Sequence, residues 1–168
     1  MNSTKRIQKN SFLSMCVAIA MLLGYIESLI PVLISVPGIK LGLPNLVIVW
    51  ILYTYGYKDA LLVSVVRIVL NSILFGNIYG FIFSLVGGVL SLLVMYFLKK
   101  DFHIYSVSMM GGVSHNIGQM LIAMYLTSMQ MIYHLPTLLI SGMICGTLNG
   151  IIANKLIPHL KHLEKDKL

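Results

Sequence analysis

The chain has 168 residues, of which 58% are hydrophobic and only 10% are charged, and its mean hydropathy is +0.90. Soluble domains carry roughly 25% charged residues, so this composition excludes a soluble globular protein and indicates an all-α integral membrane bundle. The formal net charge is +7, but the basic residues are scattered between apolar runs without a basic stripe, which argues against nucleic acid as a partner.

Apolar runs separated by turn signals predict six transmembrane helices in a single domain that covers residues 1–168. The loop SVPGIKLGLP between the first two runs contains two prolines and two glycines, so it cannot continue a helix. The second and third predicted helices are short for a bilayer whose apolar core is about 30 Å thick. The predicted helices cover residues 11–34, 45–57, 59–75, 79–98, 104–128 and 135–157.

The first predicted helix carries small residues on one side. Cys16, Ala20 and Gly24 recur every fourth residue, and Ser14 and Ala18 lie beside them. Small side chains allow another helix to approach closely. This pattern predicts either packing inside the bundle or docking of a partner protein.

Small residues also recur on the fourth and sixth predicted helices. The fourth contains Gly80, Ser84 and Gly88, and the sixth contains glycines at 142, 146 and 150. Both patterns predict close helix contacts.

The two cysteines, at 16 and 145, show neither CxxC spacing nor a His/Cys cluster, so they indicate neither a zinc site nor a disulfide framework.

Six polar side chains within the predicted spans need an explanation beyond packing. An ionisable residue near the centre of a span costs at least about 2.5–3.5 kcal/mol unless it is paired or hydrated. Arg67 and Asn71 lie one turn apart on the third helix, and His115 and Gln119 share a face of the fifth. The six residues are Glu27, Arg67, Asn71, His115, Asn116 and Gln119.

Together with Lys40 and Asn45 from the loop region after the first helix, these side chains are predicted to line an outward-opening chamber. The guanidinium of Arg67 suits a carboxylate or a phosphate, and amide and imidazole groups recognise polar heteroatoms. We therefore expect a small, partly polar solute to bind there. The alternative is an ion pair between Glu27 and Arg67, with the other polar groups satisfying one another inside a purely structural bundle.

A catalytic site is a further alternative, in which Glu27 and His115 act as acid and base or hold a metal with His134. No HExxH or paired-carboxylate motif accompanies them. The three aspartates, Asp59, Asp101 and Asp166, do not form the aspartate-rich magnesium site that a prenyl-diphosphate synthase needs. We therefore predict no catalytic residues, no metal and no cofactor, and the absence of a nucleotide-binding loop means that this chain cannot power transport by itself.

The basic residues predict the orientation in the cell membrane. With both termini in the cytoplasm, ten basic residues lie inside and only Lys40 lies in an outer loop, which agrees with the positive-inside rule. This topology predicts a multi-pass protein with an even number of helices. The ten residues are Lys5, Arg6, Lys9, Lys58, Lys99, Lys100, Lys155, Lys161, Lys165 and Lys167.

Five ordered motifs resemble the Gx transporter family, also labelled heptaprenyl diphosphate synthase component I, over roughly residues 12–157. That family is in turn similar to the substrate-binding S components of energy-coupling factor transporters. The motifs are IESLIPV (26–32), PGIKLGLPN (37–45), VVRIVLNSILFG (65–76), FSLVGGVLSLLVM (83–95) and SHNIGQM (114–120).

The similarity to S components implies a six-helix bundle that captures a vitamin-like or cofactor-like solute on the outer side. Such a bundle works with a separate transmembrane coupling protein and ATPase subunits, and it docks through small residues on its first helix. The equivalent residues here are Ser14, Cys16, Ala18, Ala20 and Gly24, where S components often have alanines. The other family label implies a non-catalytic membrane component of heptaprenyl diphosphate or menaquinone biosynthesis.

Overall fold

The computed structural model describes residues 3–29, 42–75 and 78–165. Within these residues the chain forms six α-helices and one 3-10 helix, and no strand. This confirms the all-α class and the predicted number of helices. The helices are α1 (Ser3–Leu29), α2 (Leu43–Thr54), α3 (Tyr57–Phe75), α4 (Ile78–Leu98), α5 (Ile104–Leu126) and α6 (Leu135–Lys165), with the 3-10 helix Met129–His134 between the last two.

The first helix begins eight residues before its predicted start, because 3 rather than 11 is its first residue. Residues 3–10 contain neither glycine nor proline, so nothing stops the helix there, although the segment is polar and mostly exposed. Lys9 Nζ lies 2.7 Å from Asp59 Oδ2, which joins the start of α1 to the start of α3. The predicted end at residue 34 lies outside the described residues.

The short helix α2 lies at the centre of the packing. Its 12 residues span about 18 Å, less than the apolar thickness of a bilayer. Residues 47–52 are all buried, so α2 is covered on nearly every side. Trp50 packs edge-on against Phe12 of α1, with ring centroids 5.3 Å apart. An apolar helix surrounded by other helices explains why this segment shows no polar face.

Glycines bring α4, α5 and α6 close together. Gly112 of α5 and Gly142 of α6 face each other so closely that a Cβ on either would meet backbone atoms of the other. Gly146 lies equally close to the backbone at Ser108. On the other side of α5, a Cβ on Gly118 would lie 2.9 Å from Gly87 Cα of α4. The glycine pattern of the sixth helix is therefore used inside the bundle.

The last helix runs further than predicted. The sequence predicts an end at residue 157 because proline 158 removes a backbone donor, yet α6 continues through that proline to Lys165. Three stretches of the described chain are long and apolar enough to cross a membrane, and they lie in α1, in α4 and in the segment formed by the 3-10 helix and α6. Large apolar side chains on these helices are widely exposed, as lipid-facing surfaces require.

Candidate functional site

Three helices meet at Gly42, the residue that precedes α2. The Gly42 N–H donates to Glu27 Oε1 of α1 at 2.6 Å, and the Gly42 carbonyl accepts from Asn149 Nδ2 of α6 at 3.1 Å. Gly42 has φ = 71°, a left-handed conformation that favours glycine. We call Glu27, Gly42 and Asn149 the Gly42 junction, because these hydrogen bonds tie the start of α2 to α1 and α6.

Helix α3 contributes Arg67 and Asn71 next to this junction. Arg67 is only 8% exposed, and the Glu27 carboxylate interacts with it electrostatically. A Cβ on Gly24 would lie 2.9 Å from Asn71 Nδ2 and 3.4 Å from Pro44 Cγ, so α1, α2 and α3 meet at this glycine. In the described part of the chain, neither Arg67 Nε nor Asn71 Oδ1 has a hydrogen-bond partner.

Two further residues lie beside the junction. Asn45 Nδ2 lies 3.3 Å from the position that a Cβ on Gly42 would occupy, and Asn149 Nδ2 lies 3.4 Å from it. Cys145, one turn before Asn149 on α6, is half-buried and within electrostatic range of Glu27. Four predicted site residues therefore come together, namely Glu27, Asn45, Arg67 and Asn71. Another predicted site residue, Lys40, lies outside the described residues.

The predicted residues of the fifth helix are divided between two interfaces. A Cβ on Gly87 of α4 would lie 3.0 Å from Gln119 Cγ and 3.2 Å from His115 Cε1, so these side chains pack against α4. A part for His115 and Gln119 in ligand binding stays a prediction. Asn116 turns instead to α6, where its amide donates to Leu138 O at 2.7 Å.

Asn116 makes its hydrogen bonds between α5 and α6, and its predicted part in substrate binding stays a prediction. Its amide also lies 3.3 Å from Ser141 Oγ, and the side chain is buried between α5 and α6. Neighbouring residues on a helix point about 100° apart, which agrees with His115 packing toward α4 and Asn116 toward α6. The amide of Asn116 therefore links α5 to α6.

The residues of the predicted docking surface on the first helix differ in exposure, and their part in docking stays a prediction. Cys16 and Ala20 are 0% exposed, and Gly24 faces Asn71. Cys16 and Ala20 therefore pack inside the chain, while Gly24 is half-buried. Ser14 and Ala18, on a different side of α1, are exposed. Of the predicted docking residues, Ser14 and Ala18 are the most accessible to a partner.

Sequence reasoning did not identify Asn149 and Cys145 as site residues. Asn149 lies in the TLNG segment, directly before a glycine of the α6 pattern, and that pattern by itself predicts helix packing. A signal was nevertheless present, since an amide in an apolar helix needs a partner as much as Asn71 does. That partner is the Gly42 carbonyl, which is 107 residues away in sequence.

A separate cleft of about 290 Å³ opens between the end of α3 and the start of α4. Its position on α3 is about 200° around the helix from Arg67, because Val69 follows Arg67 by two residues. The cleft therefore opens away from the Gly42 junction, and its lining is mainly apolar. The lining residues are Val69, Ser72, Ile73, Ile78 and Phe81.

These features define a helical membrane protein with an arginine-containing polar site buried among its helices. Among the described residues, no group of three or more His, Cys, Asp or Glu side chains is placed to hold a metal ion. The chain belongs to the heptaprenyl diphosphate synthase component I family, whose family model matches residues 16–156. No curated protein and no solved structure matches the chain significantly.

Proposed function

We propose that this chain is the substrate-binding membrane subunit of an energy-coupling factor type importer, with a vitamin-like or cofactor-like solute as its cargo. In this role it is not an enzyme. The observation that carries the proposal is the burial of Arg67 among apolar helices, with a guanidinium N–H that the described residues leave unsatisfied. A buried donor of this kind is stabilised when a ligand accepts its hydrogen bond.

The charge arrangement supports a binding site more than a closed ion pair. Glu27 interacts with Arg67, but Glu27 Oε1 also accepts the Gly42 N–H at 2.6 Å. The carboxylate is thus shared between the arginine and the start of α2. Asn71 adds an unsatisfied carbonyl oxygen one turn from Arg67. A solute with both donors and acceptors would satisfy these groups, whereas mutual pairing leaves atoms of both Arg67 and Asn71 without partners.

An importer subunit that cannot hydrolyse ATP requires partners. We propose a transmembrane coupling protein with ATPase subunits, docked on the exposed side of α1 at Ser14 and Ala18. Both residues are small and outward-facing, so a partner helix can approach the α1 backbone there. This role also requires a multi-pass arrangement in the cell membrane with both termini in the cytoplasm.

The test is ligand retention. We would purify the protein in lipid nanodiscs and identify any bound small molecule by native mass spectrometry. Arg67→Gln removes the buried charge, while Arg6→Gln makes the same change at an exposed position of α1 and serves as the matched control. We expect the solute to be retained by the wild type and by Arg6→Gln, and to be lost from Arg67→Gln.

Asn71→Ala provides a milder second variant in case Arg67→Gln does not fold. It removes the unsatisfied carbonyl and leaves the arginine in place. We expect reduced occupancy in this variant. Retention at the wild-type level in both folded variants would rule out this site as the place where cargo binds.

A second candidate function is a non-catalytic membrane component of heptaprenyl diphosphate biosynthesis. Membership of the family with that description favours it. In this role Arg67 would bind the diphosphate of a prenyl precursor, and a separate subunit would perform the chemistry. Reconstitution of a heptaprenyl diphosphate synthase with and without this chain tests the idea. Unchanged product length and rate would remove it.

A further inference from the structure

We infer that the cargo carries an anionic group, a carboxylate or a phosphate, which is held between Arg67 and the amino end of α2, beside Cys145 of α6. This inference rests on the proposed function and adds the charge of the cargo and the contribution of α6. It combines an arginine, a helix terminus and a thiol that three different helices bring to the Gly42 junction.

The amino end of α2 is the first source of positive potential. A helix carries about half a positive charge at this end. In α2 the Asn45 N–H donates to Gly42 O at 2.8 Å and Pro44 has no N–H, so this end acts mainly through the helix dipole. Gly42, which caps α2, is fixed by its hydrogen bonds to Glu27 and Asn149. Because both the donor and the acceptor of Gly42 are engaged, the orientation of this helix end is well defined.

Arg67 is the second source, and it does not depend on the helix terminus. Its side chain is more than nine-tenths buried, and its Nε finds no partner among the described residues. Of the five acidic residues in the whole chain, only Glu27 lies within an apolar segment. The negative charge of the Glu27 carboxylate is smaller than the combined positive charge of Arg67 and the amino end of α2. The net potential of the site is therefore positive, which favours an anionic ligand.

Helix α6 supplies the thiol that makes this potential measurable. Cys145 lies one turn before Asn149, is half-buried, and is within electrostatic range of Glu27. Cys16 is fully buried, so a reagent that enters the folded protein reaches Cys145 in preference to Cys16. The rate at which Cys145 reacts with charged reagents therefore reports the potential at the site.

The experiment compares two methanethiosulfonate reagents of similar size, the anionic sulfonatoethyl and the cationic trimethylammonioethyl compound. Both require the Cys145 thiolate, so the ratio of their rates cancels the ionisation of the thiol itself. The protein is held in phosphatidylcholine nanodiscs, and labelling is followed by intact mass. Cys145→Ser identifies the labelled residue, because it should abolish the fast modification.

We expect the anionic reagent to be favoured in the wild type. Arg67→Gln should lower the anionic-to-cationic rate ratio about tenfold or more, since a full charge is removed from a site with little water. Glu27→Gln should raise the ratio, and Arg6→Gln should leave it unchanged. Opposite effects of the two site variants cannot arise from a general loosening of the fold.

Two results would overturn the inference. One is a folded wild type in which Cys145 reacts with neither reagent, because the thiol would then not border an accessible site. The other is a rate ratio that does not respond to Arg67→Gln. Neither result depends on cargo retention, so the ligand experiment above can succeed when this inference fails, and the reverse also holds.

The source of the anion is decided by protection. Slower labelling by the anionic reagent in the presence of inorganic phosphate supports a dissolved anionic solute. Slower labelling only in nanodiscs that contain phosphatidylglycerol supports the anionic site but assigns it to a lipid headgroup. The second outcome would leave the charge of the site established and would contradict an importer cargo.

Discussion

The contact between α5 and α6 allows a quantitative test of the packing. Gly146→Ala adds one carbon, which would lie 2.6 Å from Ser108 O and 2.8 Å from Met109 Cα. Both are backbone atoms, so the strain is relieved only if the helices move apart. Overpacking typically costs about 1–3 kcal/mol, and we expect the upper value here. Alanine recovers about 1 kcal/mol of helix propensity relative to glycine, which leaves a net loss of about 2 kcal/mol.

Gly88→Ala is the matched control on α4. The added carbon would lie 3.0 Å from Ile68 Cδ1, the far end of a flexible side chain, and 3.5 Å from Ser64 Oγ. Because Ile68 can adjust its rotamer, the propensity gain should dominate, and the variant should be as stable as the wild type or more stable by up to about 1 kcal/mol.

The assay is the fraction of protein that remains monodisperse in size-exclusion chromatography after heating in detergent. For a chain of this size, a loss of about 2 kcal/mol corresponds to a fall of about 4–8 °C in the midpoint. Gly146→Ala should fall by that amount and Gly88→Ala should not. A Gly146→Ala protein at least as heat-resistant as Gly88→Ala would refute the role assigned to the glycine contact.

Two further predictions concern polar contacts. Asn116→Leu should lose about 1 kcal/mol of stability in the same assay, because the hydrogen bond to the Leu138 carbonyl disappears. The control, Asn154→Leu at an exposed position of α6, should lose no stability. Equal effects of the two substitutions would contradict the structural role of Asn116. Lys9→Ala should reduce stability by at most about 1 kcal/mol, and the difference from wild type should vanish in high salt, since the ion pair with Asp59 is partly exposed. In 1 M salt the Debye length is about 3 Å, compared with about 8 Å in physiological buffer, so a partly exposed ion pair is largely screened. A stability deficit that persists in 1 M salt would mean that Lys9 acts through packing.

The helices illustrate what hydropathy can predict. The start of α5 at residue 104 and of α6 at residue 135 agree with the sequence-based bounds, and α3 and α4 agree within two residues. The helices α3, α4 and α5 end close to the point where polar turns or glycine interrupt an apolar run, which is a local property. Helix α1 begins earlier than predicted and α6 ends later, because hydropathy measures transfer into lipid and does not detect polar residues that extend a helix.

The candidate site shows the limit of the same reasoning. The sequence indicated that Glu27, Arg67 and Asn71 require an explanation, since each is a polar group in an apolar run. It also predicted Asn116 as a site residue; the amide of Asn116 donates to Leu138 O of α6, and its part in binding stays a prediction. Asn149 was not among the predicted site residues, because its hydrogen-bond partner, the Gly42 carbonyl, is 107 residues away in the sequence.

The amino-acid sequence by itself determined that this protein is an all-α membrane bundle, the bounds of α3, α4 and α5 to within two residues, and which polar side chains lie in apolar runs. These properties follow from the transfer free energy of each residue and from the period of an α-helix, and both are local. Only the tertiary structure decided that Cys16 and Ala20 face inward, and that Glu27, Arg67 and Asn149 meet around the start of α2. Those outcomes depend on how helices rotate and cross, and that is set by the packing of all six together.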